Sequence, residues 1–158
     1  MRKNNQFREV REEKKYDERV VQVDRVTRVV KGGRRMRFRA LVVIGDRAGK
    51  IGFGVAKANE VAGAVKKASA KAQKHMFKVN VVNGTIVHEV RATYSGADVL
   101  LKPASEGTSI VAGGVVRTIC ELAGIENLLS KMLGSSNKMN NVRATFKALD
   151  SFKDVASK

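Results

Sequence analysis

The sequence predicts an α+β protein built from two small domains. In the first half, three β-branched segments with period-two alternation precede one amphipathic segment of helical period. Asn83-Gly84, flanked by valines, is a strong hairpin signal that opens a second series of strands and helices. A chain of 158 residues is long enough for two such units. We expect a flexible tail over residues 1–18, a first domain over 19–81, a second over 82–150 and a frayed end over 151–158.

Three strands are predicted in the first domain. The first runs from Val20 to Val30, with a change of alternation near Asp24 and Arg25 that indicates a bulge, and Lys31-Gly32-Gly33-Arg34 forms a turn. In the second strand, alternation separates two sets of side chains onto opposite sheet faces. One face carries Met36, Phe38, Ala40, Val42 and Ile44, and the other carries Arg35, Arg37 and Arg39 before Leu41 and Val43. Ile51, Phe53 and Val55 predict the third strand, antiparallel to the second.

A helix follows these strands. Asn59 is the predicted cap, and the predicted sheet-facing stripe consists of Val61, Val65, Ala68, Ala72 and Met76. A second stripe consists of Lys67, Lys71, Lys74 and Lys78. The first domain is therefore β-β-β-α, with arginines on a strand and lysines on a helix.

The second domain is predicted to be β-β-β-α-β-α. After the Asn83-Gly84 hairpin, residues 99–103 form a third strand. Val111, Val115, Ile119 and Leu122 mark a helix that ends at Gly124, and residues 128–133 form a strand. Asn140 or Asn141 caps a last helix striped by Val142, Phe146 and Leu149.

Positive charge is concentrated in the first domain. The formal net charge is +16, and residues 20–80 contribute +12 because they hold fifteen basic and three acidic residues. Such a concentration is typical of a polyanion-binding surface. Arg35, Arg37 and Arg39 on one strand face would repel one another without an anion across them, so we favour phosphate contact over a solvated edge.

The stretch from Gly45 to Gly54 resembles two nucleotide or RNA motifs and completes neither. A phosphate-binding loop needs four residues between its glycines and a helix after its lysine, whereas three residues lie between Gly45 and Gly49 and a strand follows. An RNA-recognition strand needs exposed aromatic rings, and Phe53 is alone. The face formed by Gly52, Gly54 and Ala56 fits close approach by RNA backbone or tight helix packing equally well. We expect the turn to bring Arg47, Lys50 and this bare face against RNA.

The remaining reactive groups do not form a catalytic pattern. Cys120 is the single cysteine and is predicted to be a buried, inert thiol, and His75 and His88 are interpreted as surface or packing residues. The loop Ser105–Ser109 before a helix fits an anion cradle or a simple cap, and Gly113-Gly114 inside that helix indicates close approach by a neighbour. No cofactor, metal or small-molecule substrate is expected. No apolar run reaches the roughly 20 residues of a membrane span, so we expect a cytoplasmic protein without membrane contact.

Two long blocks resemble the bacterial small-subunit ribosomal protein five (S-five) family. They are VVKGGRRMRFRALVVIGDRAGKIGFGVAKANEVAGAVKKA (residues 29–68) and PASEGTSIVAGGVVRTICELAGIENLLSKMLGSSNKMNNVRAT (residues 103–145). The resemblance implies a first domain similar to double-stranded-RNA-binding domains and a two-layer second domain with a left-handed crossover. One departure is Ser109, where many members of the family carry glycine.

The resemblance also implies a structural component of the small ribosomal subunit. Such a protein binds ribosomal RNA, contacts small-subunit ribosomal proteins four and eight, and lies near the messenger RNA entry site, where it influences decoding accuracy. The turn from Lys31 to Arg34 is then expected to reach RNA, and the segment from Glu106 to Arg117 to face protein four.

The combined set of candidate RNA-binding residues is Arg28, Lys31, Gly32, Gly33, Arg34, Arg35, Arg37, Arg39, Arg47, Lys50, Lys57, Lys67, Lys71 and Lys74. The candidate partner-facing residues are Glu106, Gly107, Thr108, Ser109 and Arg117. Two alternatives stay open at this point: an RNA chaperone or messenger-RNA binder outside the ribosome, and a small-molecule kinase with a Gly-Ser-rich phosphate loop.

Overall fold

The computed structural model describes residues 16–152, and the first unit of the chain is a four-stranded antiparallel sheet covered by one helix. The elements are β1 (Asp17–Val30), β2 (Gly33–Gly45), β3 (Lys50–Ala58), α1 (Val61–Lys74) and the short β4 (Phe77–Lys78). The strands lie in the order β1-β2-β3-β4. The predicted β-β-β-α order is confirmed, with β4 as an addition at the sheet edge.

The alternation in β2 places two apolar sets on opposite faces of this sheet. Ala40, Val42 and Ile44 are buried beneath α1, in a small cluster with Ala64, Ala68 and Ala72 of that helix. Leu41 and Val43 are buried on the opposite face, in a larger cluster that includes residues of the second unit. The sheet is therefore packed on both faces along the second half of β2.

The bulge in β1 lies earlier than the sequence indicated. The pairing of β1 with β2 shifts between Val20 and Gln22, so Val21 is the extra residue, and no shift occurs at Asp24 or Arg25. Val21 packs against the larger cluster. Packing of this valine against the cluster explains the position of the bulge better than the change of alternation near Asp24 and Arg25 does.

Helix α1 begins one residue later than predicted. Glu60, not Asn59, is the N-cap residue, and its side chain makes no capping hydrogen bond. Val61 is 41% exposed and Lys78 belongs to β4, so both predicted stripes are wrong at one end. The helix is held by its alanines, whose small side chains allow close contact with the sheet.

The second unit has a separate sheet and two helices. The elements of this unit are a small hairpin of β5 (Val81–Val82) and β6 (Thr85–Ile86), then β7 (Val90–Tyr94), β8 (Ala97–Pro103), β9 (Ile110–Val111), α2 (Gly114–Ala123), β10 (Leu128–Met132) and α3 (Lys138–Asp150). The strand order in the main sheet is β7-β8-β10-β9. Strands β9 and β10 are parallel and are joined through α2. The predicted α+β class with two units is confirmed.

Asparagine and glycine positions explain the hairpin and one helix end in this unit. Asn83 and Gly84 both have positive φ, at 50° and 72°, which is the conformation that a two-residue hairpin turn requires. Gly124 ends α2 in the left-handed conformation, as predicted. Asn137 caps α3 by accepting hydrogen bonds from the Met139 and Asn140 nitrogens, so the prediction of Asn140 or Asn141 as the cap is wrong.

Two further expectations for the second unit require correction. Val111 lies in β9 and not in the helix, and two residues separate it from the start of α2 at Gly114. Phe152 is fully buried and its ring lies 5.1 Å from the His88 ring, so the chain is still packed at this residue. In the first unit, Asp17 and Glu18 were expected in the tail of residues 1–18, but they belong to β1, which begins at Asp17. Residues 1–15 and 153–158 lie outside the described part of the chain.

The two units dock through the turn between β2 and β3. The Arg47 nitrogen donates to the Leu122 carbonyl at 3.0 Å, and the Gly49 nitrogen donates to the Ala123 carbonyl at 3.0 Å. Carbonyls at the end of α2 have no partner within the helix, so the turn satisfies them. Phe146 of α3 adds an apolar contact, with its ring centre 4.7 Å from that of Phe53.

Candidate nucleic-acid interface

Strands β1 and β2 extend beyond the rest of their sheet as a two-stranded ribbon. Strand β3 ends where Ala58 pairs with Phe38, so residues 26–37 have no third strand beside them. We call residues 26–37 the basic ribbon. Its five cations are exposed: Arg28, Lys31, Arg34, Arg35 and Arg37.

One face of the basic ribbon brings several predicted RNA-binding residues together. Arg28 lies opposite Arg35, and Val26 lies opposite Arg37. Residues that lie directly opposite each other in antiparallel strands share a face, so these four side chains lie on the same side of the ribbon. Lys57 of β3 lies on the same face, opposite Arg39. These residues line a surface groove of about 260 Å³ whose lining carries four cations, Arg28, Arg35, Arg37 and Lys57.

Arg39 is the exception among the predicted arginines because it has an acidic partner. Its Nη2 and Nε atoms donate to Asp24 Oδ2 at 2.7 and 3.1 Å, and Gln22 Nε2 donates to Asp24 Oδ1 at 2.6 Å. The hydrogen bonds from Arg39, and to a lesser extent the one from Gln22, hold the pKa of the Asp24 carboxyl below its usual value. Arg39 is therefore committed to an ion pair that the sequence interpretation missed. The pairing follows from the two-residue turn, since a hairpin in which Val30 pairs with Gly33 also pairs Asp24 with Arg39.

The tip of the basic ribbon depends on one glycine. Gly32 has a φ of 88°, which an L-amino acid rarely adopts, whereas Gly33 has no positive φ. A Cβ added at Gly33 would meet no atom within 4 Å. Gly32 is required by the turn, and Gly33 leaves space at the tip.

Arg47 and Lys50 lie at the other end of β2 from the basic ribbon. Asp46 Oδ1 accepts hydrogen bonds from the Ala48 and Lys50 nitrogens at 2.8 and 2.9 Å, which fixes the turn, and Arg47 has a φ of 55°. Arg47 Nε also lies 2.8 Å from Asp17 Oδ2. These two predicted residues are therefore not part of the arginine cluster.

The glycine-bare face of β3 packs against α1, which corrects the expectation that it contacts RNA. A Cβ at Gly52 would overlap the Ala72 carbonyl, and a Cβ at Gly54 would overlap the Ala68 carbonyl. Phe53 points to the opposite face, where it contacts Phe146. Of the two interpretations of this face, tight helix packing is the correct one.

The predicted lysines of α1 lie on the side of the sheet opposite the arginines. Lys67, Lys71 and Lys74 are exposed, and Lys71 Nζ donates to the Val55 carbonyl at 3.3 Å. Val55 belongs to β3, which pairs with β2 on one side at this residue and has no described strand on its other side. Lys71 therefore lies at the sheet edge, between the arginine face and the outer side of the helix.

The predicted partner-facing residues form an exposed loop and one helical side chain. Gly107 and Ser109 have φ values of 87° and 63°, and the Ser109 nitrogen donates to Asn127 Oδ1 at 3.0 Å. Arg117 Nη2 donates to the Ile110 carbonyl at 3.2 Å. Strand β9 separates this loop from α2, so the loop does not lead into a helix N-terminus. Neither the anion-cradle nor the cap interpretation fits, and the kinase alternative loses its geometric basis.

Gly113 and Gly114 stand at the start of α2 and not in its interior. A Cβ at Gly113 would overlap the Met132 side chain, whereas one at Gly114 would meet nothing within 4 Å. The predicted close approach is confirmed for Gly113 alone. The thiol of Cys120 is buried, as predicted, and desolvation raises its pKa to about 12, which disfavours the reactive thiolate. Among the helices in residues 16–152, none is long and apolar enough to cross a membrane.

Comparison with known proteins agrees with the two-unit architecture. Residues 16–80 match the family model for the N-terminal domain of ribosomal protein S5, and residues 92–158 match the model for its C-terminal domain. The chain is also similar to the small ribosomal subunit protein uS5 of Picosynechococcus sp., with 48% identity over 146 residues. The matched part covers 92% of this chain and 84% of that relative. The chain therefore belongs to the ribosomal protein S5 family and is a structural component of the small ribosomal subunit.

Proposed function

We propose that the chain binds small-subunit ribosomal RNA through the basic ribbon and the lysines of α1. The observation that carries this proposal is the projection of Arg28, Arg35 and Arg37 on one face of a ribbon that has no third strand beside it. Guanidinium groups bind phosphates through paired hydrogen bonds, and the ribbon presents several of them at spacings set by the strand. The recognition is of phosphate and shape, since the ribbon carries no aromatic ring.

The second unit is proposed as the surface that docks neighbouring ribosomal proteins. The loop from Glu106 to Ser109 is mostly exposed, while its backbone is fixed by the Ser109 and Leu128 hydrogen bonds. With Arg117, this loop supplies one acidic and one basic group for a partner surface. Small-subunit ribosomal proteins four and eight are the proposed neighbours. The proposed location is near the messenger RNA entry site, where the chain contributes to decoding accuracy.

The salt dependence of RNA binding tests the basic ribbon directly. The variant Arg35→Gln/Arg37→Gln removes two proposed phosphate contacts, so the slope of log K against log salt should fall by about 1.4 to 1.8. Affinity for a folded small-subunit RNA fragment would be measured by filter binding at several salt concentrations. Loss of two counterion-releasing contacts is the physical reason for the change.

Arg39→Gln is the matched control for this experiment. It removes one positive charge from the same strand face, but the guanidinium of Arg39 is paired with Asp24. We expect the salt slope of Arg39→Gln to change by well under about 0.7, which is the change that loss of one phosphate contact would give. Equal slopes for wild type and the Arg35→Gln/Arg37→Gln variant would contradict the proposal, as would a larger change in Arg39→Gln than in the double variant.

A further inference from the structure

We propose that a groove between the two units binds one unstacked RNA base, which deepens and rests on the proposed RNA-binding function. We call it the aromatic groove, and its volume is about 470 Å³, within the range of about 300 to 1,000 Å³ typical of small-ligand sites. The argument uses four of its aromatic residues, Phe53, Phe77, Phe146 and Tyr94. Neither unit forms this groove alone, because Phe53 belongs to β3 and Phe146 belongs to α3.

The rings of the aromatic groove form a continuous apolar surface. Phe146 packs edge to face with both Phe53 and Phe77, at centroid distances of 4.7 and 5.7 Å. Phe53 and Phe77 are half-buried, so part of each ring remains open to the groove. Tyr94 stands at the side and is 37% exposed. In single-strand-binding proteins, stacking of an unpaired base on such rings strengthens binding without requiring a particular base.

Cations at the rim of the groove favour a nucleotide over an apolar partner. Arg143 Nη1 donates to the Tyr94 hydroxyl at 2.7 Å, and the guanidinium carbon lies 5.2 Å from the centre of the Tyr94 ring. Lys147, one turn further along α3, donates to the Thr93 carbonyl at 3.3 Å. Asp150 supplies a carboxylate at the same rim. Two fixed cations beside an apolar floor match the phosphate and base of one nucleotide.

A line of basic side chains leads from α1 to the aromatic groove. Lys67, Lys71 and His75 are four residues apart, so they lie on one side of the helix, and His75 lines the groove. Lys71 reaches the open edge of β3 at Val55. A single RNA strand that follows these side chains would place a base at the groove mouth, and the two lysines along this path favour RNA over a protein occupant.

Binding of a short single-stranded RNA by variants of Tyr94 tests the proposal. The probe is a fluorescein-labelled RNA hexamer, titrated with the full chain and followed by fluorescence anisotropy at several salt concentrations. Tyr94→Ala should weaken binding about five- to tenfold without changing the salt slope, because stacking releases no counterions. Tyr94→Phe keeps the ring and should bind within about twofold of wild type. Because Tyr94 lies exposed on an outer strand of its sheet, thermal unfolding should show that both variants fold.

The outcomes separate this groove from the basic ribbon. Arg35→Gln/Arg37→Gln should lower the salt slope on folded RNA while leaving the Tyr94→Ala effect on the hexamer intact. Three outcomes would each overturn the proposal. Tyr94→Ala and Tyr94→Phe could lose the same amount of affinity, Tyr94→Ala could bind the hexamer as tightly as wild type, or the wild-type chain could fail to bind the hexamer at low salt. Ultraviolet crosslinking in assembled subunits adds a second measurement. A crosslink from Tyr94 or Phe146 to a nucleotide supports the proposal, and crosslinking of these residues to a neighbouring protein instead overturns it.

Discussion

Replacement of Gly54 by alanine is expected to destabilise the protein by about 3 kcal/mol or more. The added Cβ would overlap the Ala68 carbonyl and lie 2.8 Å from the Ala72 nitrogen, and both are backbone atoms of α1. A side chain can rotate away from an inserted methyl group, but a helix backbone must move as a body. Helix α1 would have to withdraw from the sheet and lose contact between its alanines and Val42. Urea unfolding followed by circular dichroism would measure the loss.

Gly63→Ala is the matched control for this prediction. It introduces the same methyl group into α1, where the new Cβ would lie 3.5 Å from Ala58 Cβ in ordinary contact. Alanine is favoured over glycine inside a helix, so this variant should gain about 0.5 to 1 kcal/mol. Opposite signs for the two variants are the expected result. A Gly54→Ala protein as stable as wild type would mean that α1 does not pack closely on β3.

Phe146→Ala is expected to cost about 3 to 5 kcal/mol of unfolding free energy. The ring is 5% exposed and contacts Phe53 and Phe77, so truncation leaves a cavity at the junction of the two units. Because the larger apolar cluster includes Leu41 and Val43 of β2 together with residues of α2 and α3, the loss should affect both units. Thermal and urea unfolding would be followed by circular dichroism.

Phe146→Leu is the comparison that separates lost volume from lost ring contacts. Leucine fills much of the space, so most of the stability should return, leaving a cost of about 1 to 1.5 kcal/mol. If Phe146→Ala unfolded at the same urea concentration as wild type, the two units would not depend on this contact. Both variants should leave the basic ribbon unchanged, so the salt slope on folded RNA should remain that of the wild type.

Local patterns predicted the parts of the fold that neighbouring residues control. The alternation from Met36 to Ile44 identified β2 and the arginine face, because strand geometry alone sets which side chains share a face. Asn83-Gly84 identified a hairpin for the same reason, since its turn needs two positive φ values. Gly124 correctly marked the end of α2.

The errors arise where distant parts of the chain decide the outcome. The face of β3 that carries Gly52 and Gly54 has no large side chains, so either RNA or a helix could pack against it. Only the position of α1 shows that a helix does. Strand β9 is two residues long and exists because it pairs with β10, whereas the apolar spacing of the sequence predicts a helix at Val111. The aromatic groove draws its rings from segments more than 90 residues apart, between Phe53 and Phe146, and Phe53 therefore looked isolated in the sequence. The Asp24–Arg39 pair could have been found by counting outward from the two-residue turn.

The central proposal is that the basic ribbon holds ribosomal RNA within the small subunit, and protein-to-RNA crosslinks tested residue by residue address it most directly. Small subunits containing the full chain would be purified by sucrose-gradient sedimentation, irradiated and digested, and the linked peptides identified by mass spectrometry. The proposal predicts co-migration with small subunits and crosslinks between ribosomal RNA and residues 28–37, with Arg47 absent from that crosslinked group. Crosslinks confined to the second unit would contradict it, and migration of the chain only at the top of the gradient would instead indicate an RNA binder outside the ribosome.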